Sequence, residues 1–381
     1  MSDLQIRMIS GLSEVARDDW DRIANPPDAA YDPFISWDFL EALESSGCVQ
    51  DQTGWGPRHL IAEDASGDLI GAMPLYLKTH SYGEYVFDHA WANALERAGE
   101  PYYPKLLTSV PFTPATGRRI LAPTPEVRGA LLSAGDYAGH EMNVSSWHVL
   151  FPQTDQLAEI VEAGLLKRQD IQFIFENDDY SDYSDFLNAL SSRKRKALRK
   201  EREAARRGLE IEALSGSDIT EHHWDVFFAC YQDTGARKWG SPYLNRQFFS
   251  ILHERLAERV LLVMAKRDGR YVASALNLIG SEVLFGRYWG CLEDHDNLHF
   301  ELCYHQAIDY ALEHGLRRVE AGAQGAHKLA RGYRPQLVYS AHRIFHPGLR
   351  DAIARYLRQE APAVEAERLA LEADSPYKKS D

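Results

Sequence analysis

Two glutamates in the C-terminal half of the sequence are placed where a carboxylate could move a proton. Glu301 and His305 lie four residues apart on a predicted helix, so they point the same way, with Asp309 one further turn along. Glu320 follows on a short predicted strand. A carboxylate in a partly apolar site has a raised pKa and can act as a general base. Glu301 and Glu320 are therefore candidate bases, and the alternative for each is a salt-bridged or capping carboxylate.

Hydroxyl groups and histidines lie close to these glutamates in the sequence. Tyr304, on the same helix, could donate a proton to a leaving hydroxyl, and so could Tyr333. The region also holds a group of acids and histidines: Asp294, His295, Asp296, His299 and His305. Their spacing matches no common metal-ligand pattern, and HExxH and GxSxG are both absent from the sequence. We therefore expect no metal and no serine nucleophile.

A cationic loop follows the strand that carries Glu320. Residues 327–335 read HKLARGYRP, and Lys328, Arg331 and Tyr333 are its candidate substrate-binding residues. Loops at strand ends bind ligands in α/β sheets, and a guanidinium can hold a carboxylate or a phosphate with two hydrogen bonds. The alternative is an ordinary surface turn.

An aromatic strand precedes the predicted helix. Residues 286–290 read GRYWG, and alternation along a strand places Arg287 and Trp289 on one face and Tyr288 on the other. Arg287 and Trp289 could clamp a substrate, although one of the two rings would belong to the core in the plainer interpretation. A buried Arg287 would need an acid nearby, because an unpaired buried charge is costly. Either candidate base could supply that acid.

A long proline-rich segment interrupts the N-terminal half. Residues 101–125 contain six prolines and read as a loop. Long loops inside compact domains are usually functional or disordered. Phe112, Thr113 and Arg118 offer a ring, a hydroxyl and a charge, so we interpret them as substrate-binding residues on a rim over a cleft between the halves. The alternative is a structural lid.

One segment concentrates positive charge. Residues 193–207 read RKRKALRKEREAARR, with nine basic and two acidic residues. A cationic helix can attract the phosphates of RNA, which predicts nucleic-acid contacts for six residues. These are Arg193, Lys194, Arg195, Lys196, Arg199 and Lys200. The alternative is a solvated helix paired with the protein's own acids, since no aromatic residues interleave for base stacking.

The elements that would hold these residues repeat along the chain. Residues 58–78 and 259–279 each read as an apolar run, a polar turn and a second apolar run. This pattern is typical of a β-hairpin, with Gly67 and Gly269 supplying the positive φ that tight turns need. A helical pattern precedes each hairpin. The repeat indicates two similar modules about one domain length apart.

The C-terminal half continues with alternating elements. We predict strands at 283–290, 318–321 and 336–345, and helices at 298–314 and 349–371. The result is an α+β plan with a mixed sheet. We divide the chain into an N-terminal domain, 1–170, with the proline-rich insertion, and a C-terminal domain, 171–381, with the basic helix.

Length and composition set the outer limits. A chain of 381 residues with 45% hydrophobic content is long enough for two domains. The formal charge of −14 argues against a protein that coats DNA and against a basic membrane-surface protein. Four cysteines without CxxC indicate neither a zinc knuckle nor a disulfide scaffold. We see no signal peptide and no apolar run that could span a membrane, so we expect a cytoplasmic protein.

Five segments carry a family resemblance: residues 112–121, 191–202, 286–290, 298–304 and 322–335. With the order helix, hairpin, strand, helix, strand, they resemble the bacterial FemAB-like proteins of peptidoglycan biosynthesis or recognition, within the GNAT acyltransferase superfamily. The resemblance covers most of the chain. It implies two tandem GNAT-like (acyl-CoA N-acyltransferase) domains, each a mixed β-sheet flanked by helices.

The resemblance also implies an activity. An acyltransferase of this kind joins an activated acyl or aminoacyl group to an amine, for which a cell-wall peptide precursor is a candidate. Glu301 and Glu320, identified above from the residues themselves, are the candidate bases, and Tyr304 is the candidate acid. Fem-type enzymes use aminoacyl-tRNA as donor, and acyl-CoA is the alternative. Residues 291–298 (CLEDHDNL) have three acids and no glycine run, unlike the pyrophosphate-binding loop of acetyltransferases. This leans toward tRNA, and we expect no tightly bound cofactor.

Other hypotheses stay open. The chain could be a module that recognises cell-wall peptide without catalysis, an acetyl-CoA-dependent N-acetyltransferase, or an RNA-binding protein centred on residues 193–207. The acceptor would be a small-molecule or peptide amine, and tRNA is a candidate partner. The sequence does not indicate an oligomeric state.

Overall fold

The structure, a computed structural model, describes residues 4–238, 242–322 and 325–378. Its strands are β1 (Gln5–Ile9), β2 (Trp55–Pro57), β3 (His59–Glu63), β4 (Leu69–Met73), β5 (Tyr76–Lys78), β6 (Lys105–Thr108), β7 (Ser146–Leu150), β8 (Leu166–Glu176), β9 (Glu210–Ser215), β10 (Val260–Arg267), β11 (Arg270–Ile279), β12 (Val283–Cys291), β13 (Arg318–Glu320) and β14 (Arg334–Ile344).

The helices flank these strands. They are α1 (Arg17–Ala24), α2 (Trp37–Ser45), α3 (His89–Arg97), α4 (Pro125–Glu141), α5 (Thr154–Glu162), α6 (Tyr183–Ala189), α7 (Ser192–Ala205), α8 (Glu221–Lys238), α9 (Arg246–Leu256), α10 (Leu298–Phe300), α11 (Gln306–Glu313) and α12 (Pro347–Ala373). A π-helix, Glu301–His305, joins α10 to α11. In the described part of the chain, no helix combines the length and the apolar character that a membrane span requires.

The chain divides into two compact units. The first comprises the residues up to Asp170 together with Leu337–Ala366, and the second comprises Ile171–Gln336 and the residues from Glu367 onward. Residues 337–366, which the sequence analysis assigned to the C-terminal domain, therefore belong to the first unit. The reason is that β14 pairs with β7, while α12 packs its apolar face on the core around Trp91.

In the first unit, a small antiparallel sheet has the strand order β1-β3-β4, and a second sheet runs β2-β5-β6-β7-β14. Strands β6 and β7 are parallel, as a crossover through α4 requires, and β14 pairs antiparallel with β7. Leu106, Leu131, Trp147 and Ala341 form part of the core between α4 and the strands.

The second unit has the strand order β8-β13-β12-β11-β10-β9. Strands β12 and β13 are parallel and are connected through the α10–α11 helix, and β8 pairs antiparallel with β13. Phe175, Val263, Leu302 and Val319 belong to its core. Gly290 lets the backbone of α8 lie against β12, because a Cβ there would be 2.0 Å from the carbonyl oxygen of Cys230.

The predicted α+β fold with mixed sheets flanked by helices is confirmed, and so are both hairpins. Strand β3 pairs with β4 and β10 pairs with β11, and the turn glycines Gly67 and Gly269 have φ of 84° and 75°. The prediction that residues 101–125 are a loop throughout is wrong. Strand β6 lies within this range because Lys105–Thr108 pairs with β5 and β7, and α4 begins at Pro125, where proline fits the first helical turn.

Candidate active site in the second unit

A gap opens in the second unit where its two parallel strands separate. Residues Val283–Phe285 of β12 pair with Arg318–Glu320 of β13. Beyond this point β13 ends, whereas β12 continues to Cys291 along β11. The carboxyl ends of adjacent parallel strands are where α/β sheets bind ligands. The separation therefore marks a candidate site.

A β-bulge lies at the same point. On β11, Leu276 pairs with Tyr288, but the next residue, Asn277, pairs with Gly286, so Arg287 is the extra residue of β12. Bulges redirect side chains and interrupt the hydrogen-bond ladder, and they are common beside active sites. The Arg287 guanidinium lies 5.3 Å from the centroid of the Tyr288 ring.

A cavity of 90 Å³ occupies the gap. Strands supply most of its lining, and the helix that begins at Leu298 supplies three side chains. The lining residues are Ala275, Leu276, Asn277, Gly286, Arg287, Tyr288, Trp289, His299, Cys303, Tyr304 and Ala321. His299, Cys303 and Tyr304 thus bring an imidazole, a thiol and a phenol to one small space.

The helix that carries these groups is irregular. It begins after Asn297, which has a φ of 64°, and its backbone changes from α to π at Glu301. Single π turns inside α-helices occur frequently at functional sites. Leu298 and Leu302 are buried in the core and fix the helix against the sheet. Cys303 and Tyr304 lie within the π turn itself.

A hydrogen bond links the cavity to the loop after β13. The Tyr304 hydroxyl lies 2.9 Å from His327 Nε2. Burial raises the pKa of Tyr304 above its ordinary value, so the phenol keeps its proton. The His299 ring packs edge-on against Trp289 and Tyr304, at 5.2 Å and 5.4 Å between centroids.

Lys328, the residue after His327, is buried. Its ammonium group donates a hydrogen bond of 2.7 Å to the carbonyl oxygen of Gly322, just after β13. Burial lowers the pKa of Lys328 to about 8. A lysine in this position can change its charge near neutral pH.

Arg331 connects the loop to α7. Its guanidinium donates two hydrogen bonds, of 2.9 and 2.7 Å, to the Glu201 carboxylate and stacks 3.4 Å from the Phe300 ring centroid. Glu201 also bonds His305 Nε2 at 2.9 Å. The loop, α7 and the π turn are therefore joined through one carboxylate.

Glu301 is an ion-pair partner in this structure. The Arg202 guanidinium donates to it at 3.0 and 3.1 Å, and Arg206 donates at 2.8 Å. Burial would raise the pKa of Glu301, but the charge of Arg202 and hydrogen bonds from Arg202 and Gln306 outweigh burial, so this pKa is lowered. That is the opposite of the raised pKa expected for a general base. Glu301 also does not supply the acid expected near Arg287.

Two other predicted residues lie near the gap but not in the cavity lining. Glu320 is the last residue of β13 to pair with β12 and is buried. Tyr333 is fully buried, with its ring 5.5 Å from the Tyr304 ring. Among the described residues, its hydroxyl has no hydrogen-bond partner.

The three residues predicted on the proline-rich segment lie in the first unit. Phe112 is buried with its ring 5.1 Å from Trp55, and the Thr113 hydroxyl donates to the Pro111 carbonyl oxygen at 2.9 Å. Arg118 lines a separate cavity of that unit.

The basic segment forms α7 with two different faces. One face points into the second unit, where Glu201 binds Arg331 and His305, and where Arg202 and the following Arg206 bind Glu301. The side chains of five predicted RNA-binding residues make no hydrogen bond or ion pair with any described residue: Arg193, Lys194, Lys196, Arg199 and Lys200. The sixth, Arg195, donates to the Asn188 side chain at 3.3 Å.

The cavity contains groups that the sequence analysis did not assign to catalysis, namely His299, Cys303 and Asn277, and His327 bonds to one of its walls. Of the three cavity residues, only His299 could have been identified from the sequence, because it lies at the start of the predicted helix. In the described ranges, no three His, Cys, Asp or Glu side chains come together as a metal ion requires.

Several solved structures share this fold. FemX has a TM-score of 0.55 at 14% identity, over 89% of this chain and 98% of FemX. A conserved protein of unknown function from Bacteroides thetaiotaomicron VPI-5482 has a TM-score of 0.52 at 12% identity, over 90% and 99% of the two chains. L-PGS from Bacillus licheniformis has a TM-score of 0.50 at 9% identity, over 83% and 95%.

The predicted α+β fold class is confirmed, because the chain shares its fold with FemX over most of its length. The model of the FemAB-like family, described as peptidoglycan biosynthesis/recognition, matches residues 11–379. The chain belongs to this family. No curated protein matches it.

Proposed function

We propose that this protein is an aminoacyltransferase that passes an aminoacyl group from aminoacyl-tRNA to an amine of a peptidoglycan precursor peptide. The observation that carries the proposal is the cavity between β12 and β13, where His299 and Tyr304 face the bulged strand. Family membership supports the cell-wall acceptor. The fold shared with FemX supports aminoacyl transfer by analogy.

The cavity offers a base and an acid for amide formation. His299 takes a proton from the attacking amine, because a positioned imidazole can act as a general base. The amine nitrogen bonds to the ester carbon, and the carbonyl oxygen becomes the oxyanion of a tetrahedral intermediate. When the ester C–O bond breaks, Tyr304 gives its proton to the leaving hydroxyl. His327, 2.9 Å from the Tyr304 oxygen, then relays a proton from solvent to the tyrosinate, while His299 releases to solvent the proton that it took from the amine, so that the proton count balances.

Two features favour tRNA over acyl-CoA as the donor. The loop before α10 carries three acids; Glu293 pairs with Arg267 at 3.0 Å, and Asp294 and Asp296 disfavour a pyrophosphate at that helix start. Helix α7, by contrast, presents Arg193, Lys196 and other cations that no described acid neutralises. Exposed unpaired cations of this kind suit a polyanionic donor.

The test is a transfer assay with purified protein, an aminoacyl-tRNA and a peptidoglycan precursor peptide. We expect His299→Gln and Tyr304→Phe each to slow transfer by about 10²–10⁴-fold, the usual contribution of a general acid or base. His314→Gln and Tyr310→Phe are matched controls, because both residues lie at the surface end of the same helix and stack on each other at 3.9 Å. These controls should transfer at the wild-type rate.

Two results would contradict the proposal. If wild-type protein binds the peptide but transfers from no donor, the chain is a recognition module. If acetyl-CoA replaces aminoacyl-tRNA as the productive donor, the chain is an N-acetyltransferase.

A further inference from the structure

The first unit contains a cavity that the proposed reaction does not use. It has a volume of 370 Å³ and lies between α1, α5, the start of α4 and the segment that follows Arg118. Cavities of small-molecule sites measure about 300–1,000 Å³. Its floor is apolar, formed by Ile23, Ile70, Ile120 and Leu121. An apolar floor of this size favours a ligand with an apolar body.

Three guanidinium groups line the cavity, and two of them are engaged. Arg128 donates to both oxygens of Glu159 at 2.7 Å and to the carbonyl oxygens of Ala122 and Pro123. Arg22 is exposed and bonds Asp19 at 3.2 Å. The donors of Arg128 are thus occupied, and Arg22 is more than half exposed, so water can satisfy its remaining donors.

Arg118 is different. Within the described residues its guanidinium makes one hydrogen bond, of 3.5 Å, to Asn25 Oδ1, although an arginine has five N–H donors. Burial lowers the pKa of Arg118 even though Asp32, Asp155 and Asp28 act against it. A half-buried cation with unused donors is a receptor for an anion, because a guanidinium binds a carboxylate with two parallel hydrogen bonds.

The acids of the cavity limit the charge of that anion. Asp155 and Glu159 also line it, and each repels a second negative charge on the ligand. A monoanion is therefore favoured over a phosphate dianion. We propose that this cavity binds a small molecule with an apolar body and a single carboxylate, which forms a bidentate pair with Arg118.

N-acetyl-L-leucine is a suitable probe, since it combines one carboxylate with a branched apolar body. In isothermal titration calorimetry with the full chain, we expect binding with a Kd below 10 mM and at least tenfold weaker binding by Arg118→Gln. Arg118→Lys keeps the charge without the fork and should bind with intermediate strength. Arg97→Gln, an exposed residue of α3, is the matched control and should bind as wild type does.

Two further ligands separate carboxylate recognition from the hydrophobic effect. N-acetyl-L-leucinamide has the same body without the charge and should not bind. Hexyl phosphate should bind more weakly than N-acetyl-L-leucine at pH 8. The proposal is wrong if wild type does not bind N-acetyl-L-leucine below 10 mM, if the amide binds equally well, or if Arg118→Gln, shown by circular dichroism to be folded, binds like wild type. Transfer activity does not enter these readouts, so their failure is independent of the proposed reaction.

Discussion

Two buried histidines form an unusual pair in the first unit. His148 on β7 and His342 on β14 are register partners, and their Nδ1 atoms lie 2.6 Å apart. One nitrogen must donate to the other, so the accepting ring is neutral, and protonation of both rings would break this hydrogen bond. Burial, followed by the charge of Lys105, lowers the pKa of His148 to about 3, and burial also lowers the pKa of His342.

This pair should make the protein sensitive to acid. The unfolded chain protonates each imidazole near pH 6.5, whereas folded His148 stays neutral down to about pH 3. Because the unfolded state binds more protons in this window, stability is complete above pH 6.5 and decreases as the pH falls towards 3. We expect His342→Gln to reduce the pH dependence of the unfolding free energy by up to about 1.4 kcal/mol per pH unit.

Urea titrations at pH 7.5, 6 and 5 would measure this slope. His140→Gln is the control, because His140 is exposed and its removal should leave the dependence nearly unchanged. Equal slopes for wild type and His342→Gln would show that His342 does not stay neutral in the folded state.

The residues of the site could be predicted only in part. Tyr304 and Trp289 were identified because an aromatic strand followed by a helix places them near a strand end, and the structure finds both in the cavity lining. Glu301 was a candidate on the same grounds, its position on the predicted helix near a strand end, but the structure shows it as an ion-pair partner. Its role depends on Arg202, which is 99 positions away in the sequence, and no local pattern indicates that pairing. His327 was not assigned a role because its partner, Tyr304, is 23 positions away in the sequence.

At the scale of elements, α7 connects an outer surface to the wall of the candidate site. Its inner face holds Arg331 and His305 through Glu201, while its outer face carries unpaired cations. Charge on the outer face can therefore be changed without breaking a described contact. That separation makes the proposed tRNA contact testable.

We expect Lys196→Glu with Lys200→Glu to weaken tRNA binding at least tenfold and to lower the salt dependence of binding, because each phosphate contact releases counterions. Unfolding temperature should change little. Filter binding between 50 and 200 mM salt measures both quantities. Arg355→Glu with Arg358→Glu, two exposed positions of α12, makes the same charge change on the other unit. Equal losses in both double variants would contradict a site on α7.

Elements with strong periodicity were predicted well, and irregular ones were not. The hairpins have alternating apolar residues and a turn glycine, and the β12 and β14 strands also emerged from their patterns. Strand β6 has only four residues, and prolines lie on both sides of it, at Pro104 and Pro111. A strand this short and flanked by prolines has no pattern that predicts it. The π turn was not predicted because it preserves the apolar face of the helix, with Leu302 and Ile308 still in the core.

At the scale of the whole molecule, neither unit is a single stretch of chain. The first unit needs β14 and α12 from residues 337–366, and the second includes the residues after Ala366. Tyr377 in that last segment donates its hydroxyl to the Gly332 carbonyl oxygen at 2.8 Å, and the Ser191 amide donates to the Pro376 carbonyl oxygen at 3.0 Å.

Two truncations should therefore damage different units. A chain that ends at Gln336 lacks the partner of β7 and the cover of Trp91, so amides of β7 should exchange with solvent much faster. A chain that ends at Ala366 should keep β7 protected and lose protection near Ser191 and Gly332. Hydrogen exchange with mass spectrometry measures both patterns. Persistent protection of β7 in the shorter chain would show that the first unit does not depend on β14.

The same interleaving constrains how the protein is made. During translation, β7 leaves the ribosome long before its partner β14. Its edge therefore stays unpaired while residues 171–336 are synthesised. An uncovered edge strand is a template for pairing with other chains. During synthesis the nascent protein is therefore exposed to aggregation through this edge. Chaperone binding to the N-terminal region would prevent such pairing until β14 is released.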